Sequence, residues 1–528
     1  MKRMKAFIVL SFATNILQAQ NSIDVLHYKF ELNLNNNNDT IHGCAEIKLR
    51  FHQAVTSFSI DLTTQNSRGQ GMKVDSVITG QHRSLNFISE NDKVKITPDR
   101  LSKLNDSSLF IIYYHGVPKD GLIISKNRYG DRTFFADNWP NRAHNWIPCK
   151  DQPDDKATFE FIVTAPLQFQ VVSNGKLVEE KLLANNSKLT HWVEDVSLPT
   201  KVMVIGVAKF AIKEFIDSPP NVPISAWVFP QDSVQGFKNY SPAPAIVKFY
   251  SDYIGPYPYN KLANVQSKTI FGGMENASAI FYNQESAEEH TSIEDLLAHE
   301  IAHQWFGDMA TEKSFSHLWL SEGFATYMSD IYLESKYGTD TMNYLLRHAR
   351  RKVIDFSKGS AGPVVDSISP LMRLLNANSY EKGAWVLHML RKQMGDSTFR
   401  LFIRKYYDRF KGKNADTEDL RKVAEEVTGK NMEQFFKQWL YTAGIPKLAT
   451  QSQFNKQTNE LSVTIKQLQK EIFQFPLEVE IESETQKAKI ATIPITNRVE
   501  TFKFKVEKKL LRFNVDPNTS LLFEQIKN

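Results

Sequence analysis

The sequence predicts a multidomain α+β chain, with an N-terminal all-β domain, a mainly α central domain and a small C-terminal β-sandwich. Three observations carry this. Apolar residues recur at every second position from Asn21 to about Phe210, the period then lengthens to that of a helix, and it returns to two after Gly444-Ile-Pro446. At 528 residues the chain is too long for one hydrophobic core, and roughly three domains is the division such a length suggests. The expected boundaries are 1–19 for a leader, 20–210, 211–444 and 445–528.

The leader comes first. Lys2, Arg3 and Lys5 form a positive start, Ala6 to Leu17 is apolar, and Leu17-Gln18-Ala19 offers a small residue before a cut. The apolar stretch is shorter than the roughly 20 residues needed to span a bilayer, and Ser11, Thr14 and Asn15 dilute it. Cleavage after Ala19 and export, to a periplasm or out of the cell, are therefore expected, with no membrane insertion of the mature protein.

In the first domain Tyr28, Phe30, Leu32 and Leu34 alternate with polar residues, as do Ala45, Ile47, Leu49 and Phe51, and Asn35 to Asn38 reads as the turn between them. Prolines cluster at Pro219-Pro220 and from Pro242 to Pro258. Thr291-Ser-Ile-Glu294 then has the spelling of a capping box, opening a helix with Ile293, Leu296, Leu297 and Ile301 on one side. A second helix runs through Phe324, Tyr327, Met328 and Ile331 towards Gly338. More helices are expected over Tyr380 to Met394, Ser397 to Phe410, Thr417 to Val427 and Met432 to Tyr441. Leu461, Val463 and Ile465, then Leu477, Val479 and Ile481, then Phe502, Phe504 and Val506 mark the final strands.

Charge argues against some partners. The net charge is +5, of which the leader supplies three, leaving +2 spread along the mature chain. That is too little to suggest nucleic acid or a membrane surface. The two cysteines, Cys44 and Cys149, are read as unpaired buried thiols.

The chemistry concentrates in His299-Glu300-Ile301-Ala302-His303. Residues four apart share a helix face, so both imidazoles can reach one ion, and Glu300 can lean over an open coordination position to take a proton from water. Catalytic zinc commonly has three protein ligands. Glu322, in Trp319-Leu-Ser-Glu-Gly-Phe-Ala325, is placed by a helix, a turn and a returning helix to be the third, giving one zinc per chain. His27, His42, His144, His317 and His348 have no ligand spacing and read as ordinary surface or packed residues.

Four motifs together resemble the aminopeptidase N family of gluzincin zinc peptidases. Besides the histidine helix with Glu322, they are Gly272-Gly273-Met274-Glu275-Asn276, Tyr380-Glu-Lys-Gly-Ala384, and Pro148-Cys-Lys-Asp-Gln-Pro153 followed by Lys156-Ala-Thr-Phe159. The resemblance implies a thermolysin-like catalytic domain and removal of single residues from peptides with a free amino terminus. It implies that Tyr380 donates a hydrogen bond to the oxyanion and that Glu275 binds the terminal ammonium. Gly272 and Gly273 would let substrate backbone lie alongside as an added strand, with Met274 and Asn276 in the same binding segment.

The sequence departs from the family in two places. Where members often carry an amine-binding glutamine, the count back from Pro148 reaches Asp137, which the resemblance makes a second anion for the ammonium. Gln152 stands where an acidic residue is common. Many members also continue into a helical domain, so a more open cleft is expected for this chain. Three rival readings remain: a zinc endopeptidase, a bifunctional enzyme like the leukotriene epoxide hydrolases, and an inert peptide binder. The ammonium-binding carboxylate, the terminal strands and the complete set of Glu300, Glu322, Tyr380 and two histidines count against them in turn.

Overall fold

A computed structural model describes residues 22–360, 362–485 and 487–526. The leader read at 1–19 lies outside the described residues. No helix among them is long and apolar enough to cross a membrane. They fall into two compact units. One runs to Ser251 and resumes over Pro256–Thr311, and the other takes Asp252–Gly255 and Glu312 onward.

The alternation read in the first domain builds a seven-stranded sheet. Its order is Lys176–Leu183, Ser187–Leu198, Ala157–Pro166, Ile23–Asn33, Ile41–Phe51, Ser107–Val117 and Gly71–Thr79. Ile23–Asn33 pairs with Ala157–Pro166 in parallel, and the other neighbours are antiparallel. Tyr28, Phe30 and Leu32 face inward with Ala45, Ile47 and Leu49, none more than 1% exposed. Phe30 stacks on Phe161, which in turn lies against Trp146. Burial of such side chains contributes roughly 1.5–3 kcal/mol each, which fixes the register because a one-residue slip would turn the set to solvent.

The Pro148 to Pro153 signature is a structural knot in this unit. Cys149 exchanges backbone hydrogen bonds with Asp61, Lys150 pairs with buried Asp155 at 2.9 Å, and Asp151 accepts from the Thr200 hydroxyl at 2.6 Å and from His144. Cys149 is buried, Cys44 half-buried, and both are free thiols.

Prolines and helix periods hid a five-stranded sheet in the central region, ordered Ala211–Glu214, Ile224–Val228, Leu262–Ser267, Ala279–Asn283 and Gly273–Met274. All six residues of Leu262–Ser267 are buried, so that strand shows no alternation. This sheet belongs to the first unit, where Phe281 packs edge-on to Phe135 at 5.5 Å. The division between units thus runs through 211–444, near residue 311.

The second unit holds the helices Trp319–Tyr337, Thr339–Gly359, Gly383–Met394, Asp396–Phe410 and Thr417–Thr428, followed by a short turn at Glu433–Phe436. Its C-terminal strands make two sheets. One is ordered Val499–Lys505, Glu460–Gln467, Lys447–Asn455 and Glu524–Ile526, the other Lys489–Ile495, Phe475–Ser483 and Leu510–Val515.

The capping box read at Thr291 does not form. The histidine helix begins at Glu294, whose N–H donates to Ser292 Oγ at 3.2 Å, while the Thr291 hydroxyl turns to Glu289. A reciprocal box exists instead at Asp416 and Asp419, opening the helix that ends at Gly429 with φ 68°.

Candidate metal centre

On the helix Glu294–His303, the Nε2 atoms of His299 and His303 come within 3.1 Å of each other. The Phe306 carbonyl accepts a hydrogen bond from His303 Nδ1–H at 3.1 Å. A carbonyl can only accept, so Nδ1 carries the hydrogen and Nε2 keeps its lone pair for a metal. Glu322 sits in the first turn of Trp319–Tyr337 and is 4% exposed. The ligand atoms of His299, His303 and Glu322 all lie within 4.8 Å of one another, and among the described residues they are the one group of this kind.

The donor set fits zinc. Two nitrogens bound tetrahedrally at about 2.0–2.1 Å stand about 3.3 Å apart, close to the separation here. Two imidazoles and a carboxylate, with no thiolate, are the ligands of a catalytic zinc with an exchangeable position, whereas structural sites are closed by four.

Glu300 is buried beside this group, and its seat is made by a glycine. A Cβ at Gly273 would lie 2.3 Å from Glu300 Oε1 and 2.4 Å from its carboxyl carbon. Gly273 is the first residue of the two-residue edge strand Gly273–Met274 and pairs with Tyr282. Gly272 is different, with nothing within 4 Å of where a Cβ would stand. Only Gly272 has the open space read for both glycines; Gly273 makes room for the carboxylate.

Glu275 follows directly. It is 5% exposed, and its Oε1 is buried with no hydrogen-bond partner. Met274 and Asn276, read as part of the binding segment, turn their side chains into the interior at 2% and 0% exposure. Residues buried to this degree present no surface of their own to a peptide, and the open part of the segment is exposed Gly272 and half-buried Gly273.

Sequence reading missed Gln304, the residue after the second histidine. Its Nε2 donates to the Glu275 carbonyl at 2.8 Å and to Asp308 at 2.9 Å, while its Oε1 accepts from Ser278 N–H at 2.7 Å. One amide therefore ties the Glu275 segment to the histidine helix. Burial, and then the nearby Glu275 charge, push the Asp308 carboxyl well above the usual carboxylate range. Downstream, Asn174 Nδ2 donates to the Ala277 carbonyl, and Lys261 Nζ to the Ser278 carbonyl at 2.8 Å.

Asp137 is not the free second anion that the resemblance implied. It is 0% exposed, and Oδ1 is paired with Arg142 at 2.6 Å. Oδ2 accepts from the Thr269 hydroxyl at 3.1 Å and from Ile270 N–H at 3.2 Å. A carboxylate already neutralised and hydrogen-bonded on both oxygens has little left for an ammonium.

Tyr380 is half-buried in a π-helical turn, Asn378–Lys382, that leads into Gly383–Met394. Such turns are rare and recur at functional sites. This one is held by Ser379 Oγ on the Leu374 carbonyl at 2.7 Å and by Lys382 Nζ on the Gly444 carbonyl at 2.8 Å. Burial brings the Lys382 ammonium down to about 7. Gly383 also meets Gly323, the residue after Glu322: a Cβ on Gly323 would lie 2.9 Å from the Gly383 Cα. The helix carrying Glu322 and the turn carrying Tyr380 therefore touch backbone to backbone. The remaining histidines are packed or exposed: His144 bonds Asp151, His317 bonds Thr417, His27 bonds Thr158, His42 stacks on His115, and His348 is exposed.

Comparison with known proteins agrees with this geometry. The Peptidase M1 N-terminal domain matches residues 25–202 and the Peptidase family M1 domain matches residues 240–439. Leucyl aminopeptidase of Saccharolobus solfataricus is 26% identical over 76% of this chain and 51% of its own length. Tricorn protease-interacting factor F2 of Thermoplasma acidophilum is 29% identical over 75% of this chain and 50% of its own. The chain thus spans about half the length of such archaeal relatives. Among solved structures, the M1 zinc metallopeptidase of Deinococcus radiodurans superposes with a TM-score of 0.68 at 23% identity, over 79% of this chain and 93% of that one. Legionella pneumophila aminopeptidase A, in complex with aspartic acid, gives 0.80 at 17%, over 96% of this chain and 60% of that one. At these identities the likeness speaks to the fold. The two M1 matches follow one another in chain order, take in well over half of the residues and frame an intact ligand triad, and the chain belongs to the M1 family of gluzincin zinc metallopeptidases.

Proposed function

We propose that the protein is a zinc-dependent aminopeptidase of the aminopeptidase N type, hydrolysing the first peptide bond of peptides with a free amino terminus. The observation that carries this is the Glu275 carboxylate, buried at 5% exposure with Oε1 unpartnered. An uncompensated buried carboxylate costs several kcal/mol. A peptide α-amine, with a pKa of roughly 7.7–8.0, supplies the missing cation at neutral pH. Because Glu275 stands two residues from the glycine that seats Glu300, gripping the ammonium there would fix the register at one residue.

Zinc held by His299, His303 and Glu322 would polarise the scissile carbonyl and acidify a water molecule. Glu300 takes the water's proton and passes it to the leaving amine. Tyr380 donates its phenolic hydrogen to the oxyanion. Half-buried Gly273, at the start of the edge strand Gly273–Met274, offers its backbone to an extended peptide, and open space at Gly272 admits it. The positive start, apolar stretch and small residue at Ala19 support export of the mature chain, to a periplasm or beyond the cell.

The test is a mixed peptide set with free or acetylated amino termini, followed by mass spectrometry with and without a zinc chelator. Stepwise loss of single residues from free-amine peptides, stopped by the chelator, is expected. Internal cuts in acetylated peptides would make the enzyme an endopeptidase, and no cleavage by a zinc-loaded chain would make it a binder. Glu275→Ala should raise KM for free-amine substrates by about 10- to 100-fold, the effect of losing a charge-assisted hydrogen bond of about 1.5–3 kcal/mol.

A further inference from the structure

Taking Glu275 as the amine anchor, we propose that Asp137 and Arg142 form a positioning pair, which sets Glu275 by pinning the residues just ahead of the Gly272–Gly273 edge. The argument starts from what Asp137 touches. With no exposed surface, its carboxylate gives one oxygen to Arg142 and the other to Thr269 and Ile270, two consecutive residues of the approaching chain. Arg142 is itself fixed, donating to the Trp139 carbonyl at 2.7 Å and pairing with Asp120 at 2.9 Å. Its guanidinium lies over the Phe271 ring at 5.8 Å, and Trp139 meets the same ring edge-on at 6.0 Å. Residues 269, 270 and 271 are thus each held by the short stretch from Asp137 to Arg142.

The next residue, Gly272, gives its carbonyl to Asn283 N–H at 3.0 Å, and Glu275 gives its carbonyl to Gln304 at 2.8 Å. Between these two tethers the chain has little freedom, and the Asp137 contacts set where the first of them begins. A binding group must be held to within about 0.5 Å to keep its effect. Ile270 itself is 63% exposed, so its side chain contributes little packing of its own and the backbone bond to Asp137 does the holding.

Asp137→Ala removes both acceptors. KM for a free-amine substrate should rise by about tenfold while kcat changes less than about threefold, since the carboxylate's hold on Thr269 and Ile270 is lost and the chemistry is untouched. Thr269→Val, which deletes the hydroxyl that donates to Asp137 and accepts from Phe271 N–H at 3.3 Å but keeps the side-chain volume, should raise KM by about two- to fivefold with a melting temperature within a few degrees of the parent. It serves also if the alanine variant does not fold. In a Glu275→Ala background either change should alter KM by less than twofold, because the anchor being positioned is gone. An unchanged KM in folded Thr269→Val and Asp137→Ala would overturn the proposal. So would effects that multiply undiminished in the Glu275→Ala background, since Asp137 would then meet the amine directly. If Glu275→Ala itself leaves KM unaltered, the aminopeptidase reading of Glu275 fails instead, so the two failures are distinguishable.

Discussion

Gly273→Ala is the sharpest test of how the general base is seated. The added Cβ would lie 2.3 Å from Glu300 Oε1, 2.4 Å from Cδ and 2.6 Å from Cγ. Ordinary contact begins near 3.4 Å, so the carboxylate must retreat by about 1 Å. All three atoms belong to a side chain that can rotate, and Gly273 lies in a strand without positive φ, so the fold absorbs the change. The site does not. A displacement of about 1 Å in a reacting group costs on the order of 100-fold in rate. The expectation is therefore a kcat lower by about 100-fold, a zinc content of one per chain and a melting temperature within a few degrees of the parent. The assay is steady-state turnover of a free-amine substrate beside metal analysis and a thermal melt. Undiminished kcat in a zinc-loaded variant would refute the reasoning, because Glu300 would then act from more than one position. Loss of zinc would refute it differently, by showing that the whole histidine helix moves.

Glu300→Gln should lose about 100- to 10,000-fold in kcat while binding zinc normally, and normal turnover in the loaded variant would remove Glu300 as the base. Gly323→Ala meets only backbone, the Gly383 Cα at 2.9 Å and the Ser379 carbonyl oxygen at 3.1 Å, so the two elements must part. A stability loss of about 1–3 kcal/mol with weaker zinc binding is expected from denaturant titration and competition with a chelator; a stability and zinc affinity like the parent's would show that the glycine contact is slack. His388 is buried, accepting from the Tyr327 hydroxyl at 2.9 Å and donating to the Thr519 carbonyl at 3.1 Å, and burial lowers it to about 3. Its folded value is below the unfolded 6.5, so the stability it contributes is complete above pH 6.5 and is lost as pH falls towards 3. The full loss is on the order of 5 kcal/mol, and His388→Gln should flatten the stability-against-pH curve in that window.

What the sequence made legible was whatever helical spacing or strand alternation encodes locally. His299 and His303 share a face because of the helix period alone, and the buried sets Tyr28, Phe30, Leu32 and Ala45, Ile47, Leu49 follow from alternation. The helix Thr339–Gly359 escaped because its four buried residues, Met342, Leu346, Ala349 and Val353, are thinly spread among charges, and Gly338 reads as an end. The five-stranded sheet escaped because its central strand is buried on both faces. Thr291 to Glu294 matched the spelling of a cap, yet the helix begins at the glutamate itself, so no reciprocal bond can form.

The candidate site divides along the same line. Residue types announced the ligands, but what seats them is tertiary. Gly273 under Glu300, Gly323 against Gly383, and Gln304 bridging Glu275 to Asp308 are contacts between segments that no spacing reports. Asp137 shows the limit most clearly. Counting along the chain reached its position, but only the surrounding Arg142, Thr269 and Ile270 decide whether a carboxylate is open to a ligand or already bound. Glu275 is the opposite case, buried too, at 5% exposure, but left without a partner on Oε1. Two carboxylates of one unit, both interior, differ in whether the protein supplies the cation, and on that difference rests the proposed assignment of one to the substrate and the other to the scaffold.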